Sequence, residues 1–159
     1  MINRQALIGE VNATLMFFAN STSVLVEADS DYRPHADMYS VAAHVLHVAD
    51  TIDWFREAAF GKGWDMDFNR MIEDAKACTS LTAARERLSK SGEALTQALL
   101  SADDAALSGL FPANDPIFPN QPKAAIVGAI VDHTAHHRGA LTVYARMLGR
   151  VPAMPYPMN

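Results

Sequence analysis

Cysteine is almost missing: Cys78 is the single thiol among 159 residues. One thiol excludes an intrachain disulfide and a cysteine-rich zinc site, and it fits a reducing, cytoplasmic setting. Charge is scarce too, with 19% of residues charged against about 25% in an average globular chain. What charge there is leans acidic, 13 Lys+Arg against 18 Asp+Glu for a net −5. An acidic domain gains no counterion-release free energy on a phosphate backbone, so no nucleic-acid partner is expected. The longest small-or-apolar run, Ala124 to Val131, falls far short of the ~18–20 residues that cross a bilayer. The opening Met1-Ile2-Asn3-Arg4-Gln5 leads to Glu10 without the apolar stretch of a signal peptide. No membrane partner is expected either. Two metal motifs are also missing: His-Glu-x-x-His of zincin proteases and Glu-x-x-His of ferritin-like di-iron proteins.

Against these absences stands a hydrophobic fraction of 50%, which excludes disorder as the main state. The length suits a single domain, residues 1–159. Nothing reads as a strand, and four segments carry helical periodicity. Residues 3–27 place Ile8, Val11, Leu15, Phe18, Thr22 and Leu25 on one stripe. A second helix starts at Asp37 or Ser40 and runs to about Phe60, with Val41, Val45, Val48, Ile52, Phe55 and Ala59 as its seam. Gly61-Lys62-Gly63 ends it. Trp64, Phe68, Met71 and Ile72 suggest a short helix within residues 64–78. A third long helix follows a Thr79 or Ser80 cap, with Leu81, Ala84, Leu88, Leu95 and Leu99 inward. Within residues 101–122, Pro112, Pro116, Pro119 and Pro122 exclude a helix, and the whole segment is expected to be a long ordered, Pro-rich crossover loop. The fourth helix, about Lys123 to Leu148, has the seam Ile126, Ile130, His133, His137, Ala140, Tyr144 and Met147. Four amphipathic segments make an all-α four-helix bundle the expected architecture. The tail from Val151 to Asn159 is expected to pack on the surface in extended form.

The six histidines fall in two groups, His35, His44 and His47, then His133, His136 and His137. His133 and His137 are four apart on an apolar seam, so both rings project from one face. Burying two neutral imidazoles without partners costs roughly 1–3 kcal/mol for each unsatisfied nitrogen, and a metal ion removes that cost. His44 or His47 can bring a third nitrogen. Three histidines and a vacant position are more typical of catalytic than of structural zinc. Nickel and iron also accept imidazole, so spacing alone does not choose the metal.

Two segments carry a resemblance: Val45-Leu46-His47-Val48-Ala49-Asp50, and Asp132-His133-Thr134-Ala135-His136-His137-Arg138-Gly139-Ala140 running on to Leu148-Gly149. Together they resemble the signature segments of the DinB-like (YfiT-like) metal-dependent proteins. That resemblance implies up-down-down-up helix order and one divalent metal ion held by His47, His133 and His137. The family often has Gln where this chain has Ala140. On a helical wheel His44 lies nearer the second helix's seam, whereas the resemblance selects His47 and leaves His44 as a supporting donor. Asp50 is a candidate to orient a ligand ring, and Arg138 an ion-pair or interface residue. Trp54 and Tyr144 are pocket or core aromatics, and the Pro112–Pro122 segment a candidate rim.

The open three-histidine site suggests a metal-dependent enzyme, and the resemblance implies that it activates a low-molecular-weight thiol or water, transferase-like or hydrolase-like, with zinc or nickel as the expected ion and iron also accommodated. The alternative is a non-catalytic, dimeric, metal-binding stress-response protein, with a bis-histidine haem bundle a distant third. A homodimer is expected from the low charge, the eight methionines and the apolar tail through Met154, Tyr156 and Met158.

Overall fold

Short polar side chains start most of the helices. In the computed structural model, which describes residues 2–156, Asn3 accepts the Ala6 amide and opens α1, Arg4–Thr22. Ser40 accepts the Ala43 amide and opens α2, Val41–Phe60, so the cap is Ser40 and not the exposed Asp37. Asp67 opens the short α3, Phe68–Lys76. Ser80, rather than Thr79, opens α4, Leu81–Ser101, and Asp103 opens α5, Asp104–Ser108, a short helix inside the 101–122 segment expected to be loop, where a local Asp cap starts a turn ahead of the first proline. The last helix, α6, Ile126–Met147, is entered from Pro122 through a single 3-10 turn, with no side-chain cap. The fold is all-α, with no strand among the described residues, only an isolated bridge between Leu110 and Pro122.

α1 stops at Thr22, five residues before the expected end at residue 27. Asn20, Ser21, Thr22 and Ser23 follow one another there, and such residues compete with the helix for its own carbonyls. The Thr22 hydroxyl donates to the Phe18 carbonyl and the Ser23 hydroxyl to that of Asn20. Arg85 then donates to the Thr22 and Leu25 carbonyls, at 2.9 and 3.1 Å, and so closes the helix from α4. Leu25 is buried beyond the helix end.

The four long helices pack in a ring: α1 touches α4 and α6, and α2 touches α4 and α6. His44 faces His137 and His47 faces His133, so α2 and α6 run antiparallel. Ser30 receives the Leu81 amide and its carbonyl the Ala42 amide, which holds the starts of α2 and α4 side by side. Arg150, just past α6, pairs with the buried Asp29 and donates to the Val24 carbonyl. That pair fastens the exit of α6 to the α1–α2 connection. Gly92 of α4 lets the Leu15 side chain of α1 pack close: a Cβ there would meet the Leu15 Cδ1 methyl, which would have to shift.

The inward faces follow the expected stripes in α2 and α4. In α6 the buried set is Ile126, Val127, Ile130, Thr134, His137, Leu141, Tyr144 and Ala145. Ala140 and Met147 are therefore not seam residues, and Met147 is exposed. Thr134, Leu141 and Ala145 take their place because α6 touches both α1 and α2 and needs a wider apolar face. The α3 expectation is also corrected. Phe68 and Ile72 are exposed, Ala75 is the buried residue, and Trp64 lies before the helix. Trp64 belongs to an aromatic cluster with Trp54, Phe55, Phe111 and Phe118. Residues Val151 to Tyr156 run along α1 without regular structure. The Pro155 carbonyl accepts from Asn20, and Tyr156 meets Phe17 edge-on at 5.0 Å. Met158 lies outside the described residues.

Candidate metal centre

Four residues advance an α-helix by about 1.1 turns, so His133 and His137 stack along one face of α6. Antiparallel packing brings α2 against that face at its N-terminal half. The Nε2 of His47 lies 3.1 Å from the Nε2 of His133, which lies 3.2 Å from the Nε2 of His137. One nitrogen from each ring falls within 4.8 Å of the others, a group that could hold a metal ion. Nitrogens about 2.0–2.1 Å from one zinc ion, at angles between 90° and tetrahedral, stand about 2.8–3.4 Å apart. The donor set fits. It fits chemically as well: three neutral imidazoles with no acid among them can each turn a ring-nitrogen lone pair to one cation, which satisfies all of them together.

The rings are held neutral. Burial pushes His133 down to about 4 and His137 down to about 2, and the neighbouring histidines push in the same direction. His47 is lowered too, by burial and then by His136. Neutral imidazole is the form that ligates metals.

His44 is not part of this triangle. It is buried behind it, with Nδ1 2.9 Å from His137 Nδ1 and Nε2 3.2 Å from the Tyr144 hydroxyl. The wheel argument and the family resemblance thus located two different things. The seam's midline holds the more buried His44, and the residue one turn on, His47, reaches the triangle from the side. The Tyr144 hydroxyl donates to the Tyr39 carbonyl at 3.0 Å. Tyr39 also packs its ring against His44 and His47, with centroids 5.6 and 5.3 Å away.

Other candidates are placed elsewhere. Asp50 pairs with Arg87 at 3.4 Å and contacts no imidazole among the described residues, so its orienting role is not met. Burial raises its pKa, and Arg87 only partly offsets this. His136 is exposed and meets His137 edge-on at 4.9 Å, outside the triangle. His35 is exposed beside Asp37. Arg138 sits over the Phe17 ring at 5.9 Å and forms no ion pair among the described residues. Cys78 is half-buried, its thiol directed at the Ser80 carbonyl. The Pro112–Pro122 segment does not rim the histidines. Phe118 packs on Phe55 and Asp115 accepts from the Trp64 indole, and Phe55 lies eight residues past His47, about 12 Å along the axis.

Two contributors were missed in the sequence. Thr51 is buried with its hydroxyl 3.5 Å from His133 Nε2. Its signal was the spacing of four from His47, which puts it on the same face of α2. The second is the Tyr144 hydroxyl, seven residues and two turns past His137 and 3.2 Å from His44 Nε2; an aromatic on a seam signals its ring and not where its hydroxyl reaches.

The DinB family model matches residues 22–159, and the chain belongs to the DinB family. A search of curated proteins gives no match.

Proposed function

We propose that this DinB-family chain holds one divalent metal ion, zinc or nickel with iron also accommodated, on the Nε2 atoms of His47, His133 and His137. The observation that carries the reading is the convergence of three neutral imidazole nitrogens with no acid among them. Three protein ligands leave a position for a small molecule. A divalent ion so placed lowers the pKa of a thiol or water ligand and supplies a thiolate or hydroxide at neutral pH. The chain's own residues would then have distinct tasks. The three imidazoles hold the ion and, being neutral, keep their lone pairs on it. Thr51 offers a hydroxyl beside His133 for orienting a bound small molecule. The substrate class we assign is a low-molecular-weight thiol or a hydrolysable small molecule.

The second reading, a metal-binding protein without turnover, in a stress-response setting, is favoured by one observation. The groups that could accept a proton are engaged: Asp50 by Arg87, and His44 by His137 and Tyr144. In either case we propose a single cytoplasmic domain, built as an up-down-down-up four-helix bundle with the Pro-rich segment as its crossover, that pairs as a homodimer. The ring of long helices and the antiparallel α2–α6 contact support the bundle. The exposed Val151, Met154 and Tyr156 support the pairing.

The test is metal analysis of protein purified without an affinity tag, followed by calorimetry of metal-loaded protein against a panel of cellular thiols. Stoichiometric metal with thiol binding that requires it supports the enzyme reading. Metal without any thiol binding moves the assignment to the second reading, and absence of metal after loading with zinc or nickel rejects both. Light scattering returning the 17.3 kDa mass would reject the dimer.

A further inference from the structure

We infer that a one-directional hydrogen-bond chain, Tyr39 carbonyl to Tyr144 to His44 to His137, fixes the tautomer of His137 so that its Nε2 lone pair faces His47 and His133. The inference deepens the metal-site reading and rests on it for its consequence, though not for its geometry.

The direction follows from the one member that cannot change role. A carbonyl oxygen only accepts, so the single hydroxyl hydrogen of Tyr144 is committed to Tyr39, at 3.0 Å. At its 3.2 Å contact with His44 Nε2, the Tyr144 oxygen must therefore accept, and Nε2 carries the hydrogen. His44 is buried and has no carboxylate partner among the described residues, which leaves its ring neutral with one N–H. Its Nδ1 is then a lone pair. That lone pair lies 2.9 Å from His137 Nδ1, and only a hydrogen on His137 Nδ1 makes the contact attractive. His137 Nε2 is left bare, and it is the atom 3.2 Å from His133 Nε2.

The anchor is rigid. Tyr39 directly precedes Ser40, the cap of α2, and Tyr144 is a fully buried side chain of α6. The same two helices that carry the triangle also carry the chain behind it. An imidazole ligand whose far nitrogen donates to a fixed acceptor is oriented and made more basic, and losing such a partner typically costs about 10–100-fold in metal affinity. His44 and Tyr144 are thus positioning residues that act through His137.

The experiment reads the tautomer directly in metal-free protein, from the imidazole 15N shifts of His137, and zinc affinity separately, by competition with a chromophoric chelator. Wild type is expected as the Nδ1–H tautomer. His44→Leu and Tyr144→Phe are expected to give a mixture, with zinc bound about 10–100-fold more weakly in His44→Leu. His44→Asn supplies a carbonyl oxygen in place of the Nδ1 lone pair and is expected to recover the Nδ1–H tautomer and most of the affinity. A general packing defect would not be rescued in this way. Finding the Nε2–H tautomer in wild type, or an unchanged tautomer in both His44→Leu and Tyr144→Phe, overturns the inference. The expected tautomer pattern with no zinc bound by wild type supports the chain and removes the metal reading instead.

Discussion

The two halves of α2 treat ionisable side chains in opposite ways. In the second half, Asp53 is half-buried and fully partnered. Arg56 donates to it at 3.0 Å, the Ser91 hydroxyl donates at 2.9 Å, and Arg87 pairs with it at 2.5 Å. Burial alone would raise its pKa, but the hydrogen bonds from Arg87, Ser91 and Arg56 outweigh burial and hold it low. In the first half, His44 is buried and His47 half-buried among other imidazoles with no counter-charge, and both are pushed down by burial. A network in which each charge meets its complement holds helices together. A cluster of like, neutral donor atoms without complement marks a place for a ligand. The difference lies in what the facing helix brings: Arg87 and Ser91 from α4 in one case, His133 and His137 from α6 in the other.

The sharpest way to break the comparison is to remove the imidazoles. His133→Ala or His137→Ala is expected to abolish stoichiometric metal with helical content retained, as is His47→Ala, whereas His44→Ala should only weaken binding. Metal analysis beside circular dichroism checks this. Full occupancy in His133→Ala and His137→Ala would make the cluster structural after all.

Acid separates the halves next. His44 and His137 are held down to about 4 and about 2, while an unfolded histidine titrates near 6.5. Below about 6.5 the unfolded chain therefore binds more protons than the folded one, and metal-free stability falls as pH drops. The slope tends toward about 1.4 kcal/mol per pH unit for each imidazole held neutral. Asp53 acts lower. Its folded pKa is depressed, so its contribution is present above the ordinary carboxylate range and is lost only as pH falls through it. Urea midpoints of the metal-free protein between pH 7 and 4 should decline; a flat profile would place the histidines in water.

Arg87→Met should leave zinc stoichiometry unchanged while costing about 1–3 kcal/mol, from the lost partner of Asp53 and Asp50. Chemical denaturation with parallel metal analysis reads both quantities, and metal loss would mean that the halves are coupled. The smallest effect is expected at the boundary. Thr51→Val keeps the shape, removes one long contact to His133, and should shift stability by about 1 kcal/mol or less with zinc retained.

Much of this was legible before any helix was packed. The choice of cap for α2 and α4 to within a pair of candidates each, the seams of α2 and α4, and the pairing of His133 with His137 are all read within a few turns, because they follow from 3.6-residue periodicity and local hydrogen bonding. The misplaced seam residues Ala140 and Met147 show the limit of that reading. A helix with two neighbours buries more than one stripe, and the sequence does not say how many neighbours it will have.

By itself, then, the sequence determined that the chain is helical, where most of the helices begin, and that two imidazoles share one face of the last one. The tertiary structure decided which α2 histidine completes the triangle with His133 and His137, that Asp50 turns to Arg87, that Thr51 lies beside His133, and that a carbonyl before α2 accepts from Tyr144 behind His44 and His137. These depend on the rotation and depth at which α2 packs against α4 and α6. Such packing is a property of facing surfaces, and periodicity within one segment carries no record of it.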